Sequence, residues 1–300
     1  MITQVCFLIL LSASAFYHTH AADTEVSAEG VFVKIQGQSG GMTIGKAKNP
    51  DQDNNAVKIK FDAIQEKDSS GNIVGASGNA KHSFNNFAQL DFVFSSLRDT
   101  EYENLTAKAI NFTASISSVN AKMRVETFLF TESGNITVDG ESTMVEKGSV
   151  KFNIKLEDWT FCDNSGNCKK GQATEIGEYV DLTISIKGKS TPSRKTGNNK
   201  RTDGEEYALG GDASVALSKK ISKDGGSPEN MPGNYPAFET QGSKQLFVFR
   251  FPKFTNNVLY DPIIYSGVAD TSSGAAYISL GFPLLFMALF GVFLSCKSVF

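Results

Sequence analysis

Residues able to do chemistry are few in this chain. Its 300 residues hold three histidines, four cysteines and one tryptophan. His18, His20 and Cys6 fall in the first 22 residues, and Cys296 lies five positions from the end. What remains is His82, Cys162, Cys168 and Trp159. One histidine cannot build a three-histidine zinc site, and C-x5-C is not a redox spacing. No G-x-S-x-G frames a serine, and neither a phosphate-binding loop nor a dinucleotide fingerprint occurs. Glu126, Glu157 and Asp158 are candidates for paired carboxylate chemistry only in the sense that any two acids can meet in a fold. Asp51-Gln52-Asp53-Asn54-Asn55 opens like a calcium loop, but Ala56 stands where the glycine belongs and Asp62 where the bidentate acid belongs. The expectation is therefore no enzyme, no metal and no cofactor.

The elements that must position these residues centre on Val150–Lys187. Val150, Phe152, Ile154 and Leu156 alternate with Lys151, Asn153, Lys155 and Glu157. Val180, Leu182, Ile184 and Ile186 alternate with Asp181, Thr183, Ser185 and Lys187. A period of two predicts strands with one buried and one wet face. Between them lie Trp159 and the Cys162/Cys168 pair, which closes a small turn-forming loop and reads as a disulfide in an oxidising compartment. Trp159 is a candidate ligand contact, a sugar-stacking platform, or else a packing residue.

That compartment follows from the ends. Met1–Ala22 has no charged side chain, carries the apolar run Val5–Leu11 and ends in small residues, the pattern of a secretory signal peptide. Ala275–Leu294 is a second uncharged stretch, followed by Ser295–Phe300. It reads either as a single transmembrane helix with a short inner tail or as a glycolipid-anchor signal, with Ser266 or Ser272 as the candidate attachment site. Lys297 is the only charged residue of the tail, so residues 23–274 keep 28 of the 29 basic and all 32 acidic residues, a net charge of −4. That mild balance is no nucleic-acid footprint.

Residues 23–265 form the expected extracellular body. Alternating runs recur at Glu29–Gln36, Val57–Phe61, His82–Phe94, Leu105–Ile116 and Gln245–Phe254, separated by Gly, Asn and Ser turns. Phe128-Leu129-Phe130 is apolar on both faces, as in a central strand or a switch between sheets. The sequons at Asn104, Asn111 and Asn135 mark wet surface, and Asn111 has the opposite parity to Phe112. The fold class predicted is all-β, an antiparallel β-sandwich, either one large body or two stacked halves split near 132–140, plus a C-terminal apolar helix. Residues 188–212 change composition and read as an exposed basic and polar loop, with Arg194, Lys195, Lys200 and Arg201 as candidate contacts to an anionic ligand.

Lys58–Gly71 (K-I-K-F-D-A-I-Q-E-K-D-S-S-G), with Glu157-Asp158-Trp159-Thr160-Phe161-Cys162 between two alternating strands, resembles a family of secreted or membrane-tethered proteins. Members include proteins of the organic matrix of stony-coral skeletons. The resemblance implies an extracellular matrix location and carries no catalytic residues. The acidic runs of mineral-binding proteins are missing here, which speaks against direct contact with carbonate. The resulting expectation is a glycosylated, membrane-tethered protein of matrix assembly or adhesion, on the outer face of the cell or deposited in a skeletal matrix. Its partners would be the membrane and matrix components or cell-surface glycans. The alternatives are a ligand- or glycan-binding receptor ectodomain and, further off, a carbohydrate-active enzyme.

Overall fold

The computed structural model describes residues 22–28, 30–74, 82–85, 87, 90, 92–163, 169–170, 173–174, 176–197, 200–201, 204–241 and 244–267. The signal segment up to residue 21, the apolar run 275–294, the tail 295–300, Cys168 and Ser272 lie outside the described residues. Among the described residues no helix is long and apolar enough to cross a membrane.

Those residues form strands and short 3-10 turns. In chain order the strands are β1 (Thr24–Ala28), β2 (Val31–Ile35), β3 (Met42–Gly45), β4 (Val57–Lys67), β5 (Ser83–Phe84), β6 (Phe92–Phe94), β7 (Arg98–Tyr102) and β8 (Leu105–Ile116). Next come β9 (Ala121–Phe130), β10 (Gly134–Val138), β11 (Glu141–Val145), β12 (Val150–Glu157), β13 (Lys169–Lys170), β14 (Ala173–Thr174), β15 (Tyr179–Lys187) and β16 (Ser193–Arg194). The last are β17 (Glu205–Gly210), β18 (Ala213–Leu217), β19 (Lys220–Lys223), β20 (Glu229–Asn230), β21 (Ala237–Gln241), β22 (Lys244–Pro252), β23 (Asn257–Tyr260) and β24 (Ile263–Tyr265).

Two antiparallel sheets account for most of them. The first runs β1-β2-β3-β4-β15-β22-β21, with β5 beside β4. The second runs β16-β17-β18-β24-β12-β23-β19-β20, and β12 pairs on its other side with β9, which leads to β8 and then to β6 and β7. The alternating runs become strands whose apolar sides meet in one buried cluster drawn from both sheets. Phe61 of β4 reaches Phe112 of β8 with ring centroids 6.4 Å apart, and Phe249 of β22 reaches Tyr260 of β23 at 4.7 Å. The region 132–140 does not separate two halves. It opens a hairpin, and the strands on either side of that hairpin, β9 and β12, pair with each other from Val150↔Leu129 to Glu157↔Lys122.

The β10–β11 hairpin turns through Asp139-Gly140, both at positive φ (54° and 83°). That geometry is a two-residue type I′ turn, for which Asp-Gly is a preferred pair. The hairpin covers part of the outer face of the second sheet. A second apolar cluster forms there from Ala107, Ala109, Phe128, Phe130, Ile136, Val145, Ala216, Ile263 and Tyr265. This explains the doubly apolar run in β9: Leu129 joins the main core, while Phe128 and Phe130 face the hairpin.

The same cover corrects the reading of Lys151 as a wet residue. Lys151 has no exposed surface, because its side of β12 lies in the row that the hairpin shields. Its ammonium is held by the Asp261 carboxylate at 2.9 Å and lies 5.6 Å from the Tyr102 ring centre. Burial pulls its pKa down against the opposing pull of Asp261. Asp139, half-buried at the hairpin turn, is affected in the opposite sense. Burial first, then the nearby Asp261 charge, push its carboxyl up to about 6.

A raised acid pKa means that the folded chain keeps a proton the unfolded chain has already lost. The Asp139 contribution is therefore present at about pH 4 and lost as pH rises through about 6. Asp139→Asn is expected to flatten that part of the stability profile. The difference from the native chain should grow by about 1–2 kcal/mol between the two ends, after discounting for partial exposure. Urea unfolding across that range checks it, and parallel profiles would remove Asp139 from the account.

Candidate functional site

Among the described residues, a buried cluster of chemical groups surrounds Glu66, which the sequence reading passed over. In β4, Val57, Ile59 and Phe61 face the core at odd positions. The pairing with β15 then slips, Thr183 lying opposite Ala63 and Ile184 opposite Phe61, so that Asp62 is the extra residue of a bulge. Beyond it the even positions, Ile64 and Glu66, face inward. Both are fully buried. The shift of apolar parity from Phe61 to Ile64 was visible in the sequence and is the signal that would have located Glu66.

Its carboxylate is surrounded by donors from separate segments. Oε2 takes the Trp159 indole N–H at 2.9 Å and lies 2.6 Å from His82 Nδ1, which donates when protonated there. Oε1 takes the Cys162 backbone N–H at 2.7 Å. The backbone reinforces the cluster, since the Glu66 N–H donates to the His82 carbonyl and the Gly177 N–H to the Cys162 carbonyl. A side chain at Gly177 would overlap the Glu66 carboxylate, so only glycine fits there. Phe161 packs edge-on against Phe254 at 5.3 Å and closes the outer side.

This arrangement decides between the two readings of Trp159, against a surface platform and for a packing residue. Only 4% of it is exposed, and its one polar atom is turned inward, so it cannot stack on a sugar. His82 is buried as a structural partner. The side chains of Glu66, His82 and Cys162 bring one potential ligand atom each within 4.8 Å of the others. The fit to a metal is nevertheless poor. Cys162 is disulfide-bonded and has no thiolate to offer, and N–H groups already surround the carboxylate.

Residues 188–212 also differ from expectation. They contain β16 and all of β17, which pair with each other, and Arg194, Lys195 and Arg201 are tied to acids of β17. Arg194 pairs with Glu205, and Lys195 lies 2.8 Å from Glu206. The Arg201 guanidinium donates to Ser214 Oγ at 3.0 Å, lies 3.6 Å from Glu206, and stacks 4.4 Å over Tyr265. Lys200 is half-buried, its N–H donating to the Gly197 carbonyl. Glu206 is fully buried. Burial raises its pKa, but hydrogen bonds from Lys195, Arg201 and Ser214 outweigh that and hold it below the usual range. The physical reason is alternation: Glu205 and Glu206 lie on opposite faces of one strand, so each draws its own basic partners.

The other singled-out positions are scattered. Asn104 is exposed in the tight turn between β7 and β8, at φ 69°. Asn135 is exposed on β10. Asn111 is half-buried on β8, between β6 and β9, and its amide reaches Glu126 at 3.4 Å. Ser266 donates to the Gly148 carbonyl at 2.9 Å. Asp51 bonds Lys34 and Thr43, while Asp53 caps the Lys46 and Asn55 N–H groups, so these acids do not converge on one point. Glu157 is engaged by Lys155 at 2.8 Å, with Arg124 at 3.9 Å.

Fold and clusters together define a class: an all-β body whose buried charges serve mainly as internal ties. The family model described as acidic skeletal organic matrix protein matches residues 9–208 and 201–295. The chain belongs to that family. No solved structure matches it.

The Glu66 cluster yields a stability prediction. Glu66→Ala leaves three buried donors without an acceptor and should cost about 3–5 kcal/mol. Glu66→Gln keeps the shape and one acceptor and should cost less. Chemical denaturation ranks the two, and equal midpoints for all three proteins would show that the cluster contributes nothing.

Proposed function

We propose that this protein is a non-catalytic structural component of an extracellular skeletal organic matrix. The observation that carries the reading is the family match along most of the chain. The character of the buried charges supports it. Glu66, Glu206, Asp181 and Lys151 are each held by neighbouring elements, an arrangement suited to a rigid scaffold rather than to proton transfer. We read the two sheets and their common core as a sandwich. The mature body enters the secretory path through the Met1–Ala22 signal, is held at the cell surface by the Ala275–Leu294 run, and is deposited into the matrix around it. Matrix polymers and cell-surface glycans are its partners.

Two of the three sequons suit glycan attachment on the folded body. Asn104 and Asn135 project from a turn and a hairpin, whereas the Asn111 amide is engaged within a paired sheet.

Peptide mapping of washed membranes and of demineralised skeleton from the source tissue tests the reading. Body peptides in the skeletal fraction, ending before the apolar run, are expected. Peptides confined to membranes would count against deposition. Enzymatic deglycosylation in heavy-oxygen water should mark Asn104 and Asn135 and leave Asn111 unlabelled.

A further inference from the structure

We propose that the mouth between the two sheets, where β21 meets β17, is a binding cleft for an anionic oligosaccharide. This names a partner chemistry for the matrix role and rests on that reading for its biological setting. The cleft itself is argued from its geometry.

β21 ends the first sheet, and β17 lies one strand in from the end of the second. At such a mouth the inward-facing residues of an end strand have no further strand to cover them. Phe238 of β21 shows the result. It stands opposite Phe247 in register, yet it is 36% exposed while Phe247 is fully buried. Below it lies a cleft of about 480 Å³, within the roughly 300–1,000 Å³ usual for small-ligand sites. Tyr207, Tyr235, Phe238, Arg194, Glu205 and Lys219 contribute to its walls.

Two aromatic rings in the walls are held in place. Phe238 rests against Tyr207 at 5.6 Å and Phe247 at 5.2 Å between ring centres. Tyr235 is backed by the Arg250 guanidinium 4.3 Å from its ring centre, and that guanidinium is gripped by both Asp181 oxygens at 2.7 Å. Rings held this way lose little freedom when a ligand stacks on them. The C–H face of a pyranose is the complementary surface, apolar on one side and rimmed by hydroxyls.

The rim sets the charge. Arg194 and Lys219 both pair with Glu205, and their side chains are still 59% and 52% exposed. Two cations share one carboxylate, which leaves one positive charge in excess at the cleft. Glu205 has two oxygens, and these cannot use up the N–H donors of a guanidinium and an ammonium together. The surplus is of donors and of positive charge, which suits a carboxylate or sulfate group on the sugar. Glu239, the next acid along β21, has the opposite parity to Phe238 and lines a different hollow, with Lys60 and Gln65. An extended peptide along the outer edge of β21 is the other occupant, but the exposed cations Arg194 and Lys219 stand in the cleft walls.

The test is calorimetric titration of the purified full-length chain with three probes: a galacturonate hexamer, a chondroitin sulfate hexamer and a neutral chitin hexamer. Binding of at least one anionic probe is expected, with the neutral one at least tenfold weaker. The two anionic probes separate carboxylate from sulfate recognition. Phe238→Ala and Arg194→Gln should each weaken binding by tenfold or more, whereas Phe238→Tyr should retain it. Both altered side chains are exposed, and unchanged unfolding midpoints would confirm that the fold survives. No anionic binding tighter than about 1 mM, equal binding of the neutral probe, or binding unaffected by either substitution would overturn the proposal. So would capture of extended peptides that does not depend on Phe238. A chain found in the skeleton that binds none of the probes would leave the matrix reading standing and remove the cleft.

Discussion

A carboxylate shut away from water has to be surrounded by donors, or the chain around it will not close. Glu66 imposes that condition here. Its partners come from the segment before β5 and, through the Trp159 side chain and the Cys162 backbone, from the segment after β12, so one acid couples two segments that the sheets alone would leave independent. Breaking one partner of such a cluster costs far more than the cluster gains over an apolar core of the same shape. Its contribution is thus to uniqueness as much as to stability. The disulfide at Cys162, the missing side chain at Gly177 and the entry into β15 all take their positions around it.

The same economy recurs across the body. Asp181 is covered by the Arg250 fork, Lys151 meets Asp261 beneath a hairpin, and Glu206 gathers Lys195, Arg201 and Ser214. Each pair fastens one element to another. The family is described as acidic, yet residues 23–274 of this chain carry a net charge of only −4, and some of its acids are turned inward. Whatever this surface recognises will be recognised by local shape and donor placement rather than by a broad field.

Much of this was legible before any coordinates. The alternation in β4, β8, β12, β15 and β22 specified the core faces, and the doubly apolar Phe128-Leu129-Phe130 marked a strand with cover on both sides. What could not be read is of one kind. Lys151 looks wet in its own strand and is dry only because a hairpin from elsewhere lies over it. Trp159 reads as a platform or as a packing residue, and the choice is made by an acid 93 positions earlier. Arg194 and Lys195 look like a free basic patch until Glu205 and Glu206 are seen to lie beside them. Period and composition report on a residue's own strand, whereas burial of a charge is decided by a distant partner. The bulge at Asp62 is intermediate, since the parity change was in the sequence but its consequence for Glu66 was not.

The order of pairing in the first sheet has a consequence for how the protein is made. β15 lies between β4, more than a hundred residues earlier, and β22, about sixty residues later. Non-local pairing of this kind is slow, because the loops must close before the contacts reward them. The middle of that sheet cannot be completed until almost the whole body has left the ribosome. Until then the Glu66 segment waits in water, whereas the Asn111 strand, paired with its chain neighbours β7 and β9, can close early.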